Sequence, residues 1–282
     1  MVISIITVVH NSETTIGDTL RSVERQNYGF IEHIIVDGAS TDKTLEIVQS
    51  FSHVSKIISE PDAGIYDALN KGIRVATGDI IGLLHSDDFY PNQTIISEVV
   101  KEFQTKNIQS LYGDLEYVHP IQTGKLVRYW KSGKFQRDRF LRGWSPPHPT
   151  FFVRREIYEK FGLFNLRLKI AGDYELMLRL LFKQKISTHY LPKVLVKMRT
   201  GGTSNANLNN RMKANEEDQM SWELNGLKPK FYTVFLKPIR KIPQYFLMPN
   251  NESKLIFSLG NIFSNILIPY FRQKIFKLIR MQ

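Results

Sequence analysis

Short, nearly unbroken apolar runs recur through residues 1–90, each followed by a polar loop and then by a stretch with apolar positions three and four apart. A run of four to eight apolar residues reads as a strand buried on both faces, and the three-and-four spacing as a helix with one buried stripe. The pattern predicts a strand over 2–9, a helix over 13–26 carrying Ile16, Leu20 and Val23, and a strand over 31–36 that ends at Asp37 and Gly38. A helix with Leu45, Ile47 and Val48 follows, with Ser40 or Thr41 as its cap, then a strand over 56–59, a helix over 64–76 and a strand over 79–85. Strands separated by helices at this spacing are βαβ units of a parallel sheet.

The rhythm loosens after a helix near 93–104. Residues 111–118 and 126–130 read as strands around the turn at Gln122, Thr123 and Gly124, so the sheet becomes mixed. Helices are predicted over 154–161 and 173–184, the second with Tyr174, Met177, Leu178 and Leu181 as its apolar stripe and Asp173 in its first turn. A polar helix over 206–224 precedes a tail punctuated by Pro229, Pro238, Pro243, Pro249 and Pro269. These signals divide the chain into a domain over 1–205, with halves 1–110 and 111–205, and a basic, mostly helical extension over 206–282.

Composition narrows the chemistry. The 282 residues contain no cysteine, which excludes disulfides, thiolate metal sites and a cysteine nucleophile. A strand begins at once, with no signal-peptide pattern, and no apolar run reaches the roughly 18 residues of a spanning helix, so the expected location is the cytoplasm. The net charge of +11 is concentrated in 228–282, which hold ten Lys or Arg against the single acid Glu252. Those basic residues, Lys237, Arg240, Lys241, Arg272, Lys274, Lys277 and Arg280 among them, flank apolar and aromatic stretches. That mixture favours an anionic membrane surface over nucleic acid, and a helical extension packed on the catalytic domain or on a second subunit is the alternative.

Carboxylates recur where strands end, the edge at which open α/β sheets bind ligands. Asp37 suits a nucleobase and ribose, or an Asx-turn that shapes its loop. Asp62 and Gly64 precede a helix and suit a polar ligand or ordinary capping. Asp87 and Asp88 repel one another unless a cation or ribose hydroxyl lies between them, and a hard divalent ion, Mg²⁺ or Mn²⁺, takes one or two carboxylates plus phosphate oxygens. His85 is a possible third ligand or a structural histidine. Asp173, at a helix mouth, reads as a general base or a helix-dipole partner. His148, with Pro149, Phe151 and Phe152, lines an acceptor pocket or joins the core on a strand.

Several motifs together carry a family resemblance. They are Ser4-Ile-Ile-Thr-Val-Val-His-Asn11, Ile35-Val-Asp-Gly-Ala-Ser-Thr-Asp42, Glu60-Pro-Asp-Ala-Gly-Ile-Tyr-Asp-Ala-Leu-Asn-Lys-Gly72, Thr77-Gly-Asp79 with Ser86-Asp-Asp88, and Ala171-Gly-Asp-Tyr-Glu-Leu-Met-Leu-Arg179. In this order and spacing, residues 1 to about 205 resemble the family 2 inverting glycosyltransferases of GT-A fold, particularly bacterial members that extend polysaccharides or lipid-linked oligosaccharides. The resemblance implies a Rossmann-like mixed sheet with helices on both faces. It implies a nucleoside diphosphate sugar donor bound by Thr7, Val9, His10, Asn11, Asp37, Asp62 and Asp87, with Asp88 on a divalent metal. Asp173 matches the catalytic base. The acceptor is expected to be a glycan or polyprenyl-linked hydroxyl, and His148, Arg199, Gly201 and Gly202 are expected beside acceptor or diphosphate. His10 and His85 depart from the family, which often has tyrosine and aspartate there.

Two other classes of protein fit these residues less well. A nucleotidyltransferase of sugar phosphates opens with a Gly-rich basic loop after its first strand, which residues 8–13 lack. A non-catalytic binding module leaves the carboxylates at successive strand ends without a purpose.

Overall fold

The structure is a computed structural model and describes residues 1–201, 208–233, 236, 237, 240 and 244. Most of the basic tail, and Gly202, lie outside the described residues. The chain runs β1 (Ile3–Val9), α1 (Ile16–Glu24), β2 (Ile31–Asp37), α2 (Thr44–Gln49), β3 (Val54–Ser59), α3 (Ile65–Val75), β4 (Ile80–Leu83), β5 (Asp88–Phe89) and α4 (Ile95–Thr105). It continues with β6 (Ser110–Val118), β7 (Leu126–Trp130), β8 (Phe152–Arg154), α5 (Arg155–Phe161), α6 (Gly172–Met177), β9 (Thr188–Arg199) and α7 (Leu208–Leu224). The strands form one sheet in the order β3-β2-β1-β4-β8-β6-β9-β5, with β7 on β6.

β1 is the axis. All seven of its residues are buried, and it pairs in parallel with β2 on one side and β4 on the other. Its alternate residues feed two cores. Ile6 and Val8 join Ile34, Val36 and Ile81 beneath α3 and α6, whereas Ile3 and Ile5 pack with Ile80, Val99 and Phe103 on the α4 side. Helices therefore cover both faces, as a parallel sheet requires. Beyond β4 the sheet turns mixed: β8 is antiparallel to β4 and β6, and β6 is parallel to β9.

Three expectations change. The long strand β9 was not predicted, because Pro192 interrupts its apolar pattern, and the structure accommodates it at a register shift between Tyr112 and Asp114 on the partner strand. The helix expected over 173–184 is α6 followed by a wider π turn, Leu178–Lys183. α2 is preceded not by a Ser40 or Thr41 cap but by Asp42, whose Oδ1 accepts the Thr44 amide at 3.0 Å.

α7 is polar along much of its length, yet its Trp222 is 1% exposed within the core of α3 and α6, donating to the Tyr174 hydroxyl at 3.0 Å. Farther on, Lys237 pairs with Asp218 at 2.6 Å and lies 3.9 Å from the Tyr174 ring centre, while Arg240 donates to the Arg142 carbonyl. These two basic residues of the tail pack on the protein, and α7 acts as part of the core. Trp222→Ala is expected to cost about 3–5 kcal/mol, read as a lower urea midpoint in a single unfolding transition. An unchanged midpoint would show α7 to be dispensable.

Candidate active site

Parallel pairing sets the ends of β1, β2 and β3 side by side: Val9 lies opposite Asp37, and Asp37 opposite Ser59. The loops beyond them are sewn together. Asn11, with φ of 47°, donates its amide to Ser40 Oγ at 2.9 Å and accepts the Thr41 amide on its side-chain oxygen at 2.9 Å. His10 Nδ1 lies 3.0 Å from the Gly38 carbonyl, which only a protonated Nδ1 can satisfy, leaving Nε2 to accept from Asn11 Nδ2 at 3.2 Å. A Cβ at position 38 would sit 2.5 Å from Asp62 Oδ2, so glycine lets the β2 and β3 loops close on each other. His10, Asn11 and Asp62 thus share one rim.

Asp37 is fully buried, and its carboxylate accepts from Ser40 and, at 2.6 Å, from Ser59 Oγ. It performs the loop-shaping role that sequence left open. Asp62 Oδ1 accepts the Gly64 amide at 2.8 Å, the capping role, while Oδ2 faces Gly38. Thr7 and Val9 lie beneath the rim. The Thr7 hydroxyl is hydrogen-bonded to His33 Nε2 at 3.0 Å, and Val9 packs with Ile16, Leu20 and Ile35, so their side chains support the loops from inside the sheet. Buried His33 is held neutral, its pKa drawn down to about 3 by burial and then by His53.

The turn after β4 carries the other pair. Asp88 is fully buried, and neither of its carboxylate oxygens has a hydrogen-bond partner. Burial, and then the charge of Asp87, push its carboxyl well above the usual range; burial also raises Asp87. Asp88 does not cap α4, whose N-cap is Thr94. The backbone around this pair is tied firmly. Thr19 Oγ1 of α1 reaches the Asp88 carbonyl at 2.7 Å and the Ser86 carbonyl at 3.0 Å, and Ser12 Oγ meets Ser86 Oγ at 3.1 Å.

Arg199, expected at a diphosphate, is 5% exposed and braces this turn. Its guanidinium donates to the Asp87 carbonyl at 2.8 Å, the Pro120 carbonyl at 3.1 Å and the Asp18 carboxylate. The antiparallel pairing of Asp88 with Met198 brings it there. All three guanidinium nitrogens are engaged, so its donors point into the protein. Gly201, at φ of 115°, lies just beyond on the turn after β9.

Asp173 stands at the start of α6. Its Oδ2 is 2.9 Å from His148 Nδ1, and its Oδ1 lies 3.3 Å from the Tyr66 hydroxyl, whose proton goes to the Ile170 carbonyl at 2.7 Å. Burial works to raise its pKa, but the His148 charge and hydrogen bond, followed by Lys237, outweigh it and hold the carboxyl below the usual range. Gly172 is required by close approach, since a Cβ there would meet the Tyr66 ring at 2.7 Å. His148 sits on a 3-10 turn, His148–Thr150, pinned by Thr150 Oγ1 to the Gly113 carbonyl of β6 at 3.2 Å. Its ring meets His85 edge-on with centroids 5.6 Å apart, and burial, then His148, lower the His85 pKa to about 3. His148 and His85 therefore link the Asp173 region to the Asp87–Asp88 turn.

Sequence reading missed Glu217. From α7, its carboxylate accepts three successive amides, Lys169 at 3.0 Å, Ile170 at 2.7 Å and Ala171 at 2.8 Å, and so fixes the loop that delivers Asp173. A helix without a clear apolar stripe offered no signal for it. Glu175 likewise turns inward, pairing with Arg179 at 2.9 Å and accepting from Asn225 at 3.0 Å.

A sheet of this topology with carboxylates at its strand ends belongs to the nucleotide-sugar transferase class, and comparison with known proteins specifies the family. The model of Glycosyl transferase family 2 matches residues 4–162, and the chain belongs to that family. The chain is 30% identical over 210 residues, 72% of its length and 78% of the relative's, to a PGL/p-HBAD biosynthesis glycosyltransferase of Mycobacterium bovis. It is 32% identical over 187 residues, 63% of its length and 68% of the other's, to an uncharacterized glycosyltransferase of Mycobacterium tuberculosis. Two solved structures share the fold. TarS 1-349 of S. aureus, in complex with UDP-GlcNAc, has a TM-score of 0.60 at 18% identity, covering 94% of this chain and 82% of that one. Mannosyltransferase PcManGT of Pyrobaculum calidifontis, in complex with GDP-Man and Mn²⁺, has a TM-score of 0.60 at 16% identity, covering 93% and 80%. The fold is GT-A, and the protein is a glycosyltransferase.

The state of Asp88 has a thermodynamic consequence. A carboxyl whose folded pKa is raised keeps a proton that the unfolded chain releases, so stability without ligand falls as pH climbs above about 4. Asp88→Asn is expected to abolish that slope, its unfolding temperature gaining on wild type as pH rises from 4 to 8 in EDTA. Parallel curves for the two proteins would contradict the buried, unpaired state.

Proposed function

We propose that this glycosyltransferase is inverting and moves a sugar from a nucleoside diphosphate sugar to a hydroxyl of a glycan or lipid-linked acceptor in cell-surface polysaccharide synthesis. The observation that carries the reading is the contrast within one site: Asp88, buried without a partner, and Asp173, ionised and tied to His148. In this reading residues 1–110 hold the donor, with His10, Asn11, Asp62 and Asp87 along the rim and Asp37 shaping it. Residues 111–205 supply the acceptor side, with His148 beside Asp173 and Gly201 near the Asp87 turn. The complexes of structural neighbours with UDP-GlcNAc and with GDP-Man support a nucleotide-sugar donor.

The residues fit a divalent metal. Among the described residues no three His, Asp or Glu side chains group as a metal site, so the protein would offer Asp88, with Asp87 adjacent, and leave the remaining positions to phosphate and water. Mn²⁺ or Mg²⁺ held there would neutralise charge developing on the departing diphosphate. The chain's own residues do the rest. Asp173 takes the acceptor's proton, the acceptor oxygen bonds to the anomeric carbon, and the bond to the diphosphate breaks with its electron pair on the leaving group. One displacement from the far side inverts the anomeric configuration.

Incubation with a panel of nucleotide sugars tests the activity: release of nucleoside diphosphate supports it, whereas nucleoside triphosphate formed from pyrophosphate marks a nucleotidyltransferase. Asp173→Asn should bind donor as wild type does and lose about 10²–10⁴-fold in transfer; wild-type turnover would remove Asp173 from this role. EDTA should abolish turnover and Mn²⁺ restore it.

The tail over 228–282 is the segment we assign to the inner face of a membrane, near a lipid-linked acceptor. Its basic charge and the exposed ring of Phe231, 86% accessible beside Tyr232, support this, although Lys237 and Arg240 pack inward. No helix among the described residues is long and apolar enough to cross a membrane. Cosedimentation with anionic vesicles should fall on deletion of 245–282; equal partitioning of both forms would refute the assignment.

A further inference from the structure

One group of charges lies apart from the carboxylates of the site. Between β7 and the His148 turn the chain forms a 3-10 helix, Arg137–Arg142, that ends at Gly143 with φ of 73°. The start of the tail is laid against it. A Cβ at position 143 would stand 2.6 Å from the Lys237 amide nitrogen and 2.7 Å from the Thr233 carbonyl oxygen, so glycine admits this close approach of backbone. Thr233 Oγ1 donates to the Leu141 carbonyl at 2.6 Å, and Arg240 Nε to the Arg142 carbonyl at 2.8 Å. Arg139, Arg142 and Arg240 are thereby gathered in one place, about one helical turn beyond the Lys237 that rests on the Tyr174 ring of α6.

Each guanidinium is aimed by the protein and left partly open. Arg139 lies 4.3 Å from the centre of the buried Trp144 ring and donates from Nη1 to the Ser132 and Lys134 carbonyls, at 3.2 and 3.1 Å. Arg240 is held through Nε alone. The exposed Arg142 side chain has no hydrogen bond or ion pair among the described residues, and no carboxylate among them pairs with any of the three. Asp218, on the same face of the tail, is engaged by Lys237. The three charges also bear on one another: burial and then Arg240 lower the Arg139 pKa, and burial and then Arg142 lower that of Arg240. Asp88 relieves its isolation by keeping a proton, whereas a guanidinium remains charged at any working pH. An anion set among the three offsets their repulsion, and the guanidinium fork matches the oxygens of a phosphate.

Resting on the proposed transfer to a lipid-linked hydroxyl, we propose that Arg139, Arg142 and Arg240 bind the phosphate ester of the lipid that carries the acceptor. Two observations choose this ligand over a soluble phosphate or the donor. Phe231, which opens the segment packed on the 3-10 helix, is 86% exposed beside Tyr232, so apolar surface accompanies the charge as an amphiphile requires. The same segment sets Lys237 on α6, whose first turn carries Asp173, and so the cluster belongs to the acceptor half. The donor's diphosphate is assigned to the other carboxylate pair, at the turn that Arg199 braces. The arginines change no bond in the reaction; they hold the carrier's phosphate while the sugar it bears reaches the base.

The test is cosedimentation of the full chain, without donor, with phosphatidylcholine vesicles that carry either a polyprenyl diphosphate or phosphatidylglycerol at equal surface charge. The variant R139Q/R142Q/R240Q is compared with wild type and with R25Q/R74Q/K101Q, which removes the same charge from exposed positions elsewhere. Partition onto the polyprenyl diphosphate vesicles is expected to fall about tenfold in the arginine variant and to stay within about threefold of wild type in the control. On phosphatidylglycerol the two variants are expected to fall alike. Equal partition of the two variants on polyprenyl diphosphate would overturn the site. A selective loss of the same size on both lipids would assign the cluster to bilayer headgroups and overturn the acceptor-lipid assignment. No sugar moves in this measurement, so failure of the nucleotide-sugar panel would remove the proposed reaction and leave the binding result readable. Should the triple variant not fold, Arg142→Gln, whose side chain has no partner among the described residues to lose, is expected to fall about threefold on polyprenyl diphosphate alone, and its unchanged partition would overturn the proposal.

Discussion

The burial of β1 on both faces and both edges is the constraint from which the rest of the structure follows. A strand with every residue inside must satisfy its backbone through neighbours and its side chains through two separate cores, so β2 and β4 flank it and helices cover each face. Polar side chains along such a strand need partners inside the sheet, as Thr7 finds in His33, and the carboxylates stand where the strands end. The loops after β1, β2 and β4 therefore collect Asn11, Asp37 and the Asp87–Asp88 pair along one edge. Their cross-links, Asn11 to Ser40 and Thr41, Ser12 to Ser86, and Thr19 to the Asp88 carbonyl, make that edge a single rigid rim.

Within this rim the chain treats two carboxylates in opposite ways. Asp173 is paired with His148 and is stable as an anion. Asp88 has no partner, and an uncompensated buried carboxylate costs several kcal/mol, which the surrounding hydrogen bonds and Arg199 strut must sustain. Such a local cost persists where the rest of the fold over-determines the geometry, and a cation held there would relieve it. In the displacement we propose, the two environments would divide the labour, one end managing the departing charge and the other the incoming hydroxyl.

The surroundings of Asp173 depend on residues far along the chain. The family match ends at 162, before Asp173, and the loop carrying Asp173 is held by Glu217 and Trp222 of α7 and by Tyr66 of α3. Lys237 reaches the same helix by packing on Tyr174 and Asp218. The region that follows β9 thus begins as part of the core, while Phe231 stands exposed.

Much of this was legible in the residues alone. Strand and helix periods determined the βαβ order of the first half, the carboxylates at its strand ends and the position of Asp173 at a helix mouth, because these are local properties of spacing. What spacing could not show is which distant groups meet. The pairing of His148 with Asp173 needs β8 laid antiparallel between β4 and β6, and the inward use of Arg199 needs β9, whose pattern Pro192 disguises. Whether a carboxylate finds a donor, as Asp173 does, or remains alone, as Asp88 does, depends on side chains brought together by packing. Sequence therefore determined which chemical groups stand at the edge of the sheet, and tertiary structure decided their charge and their partners.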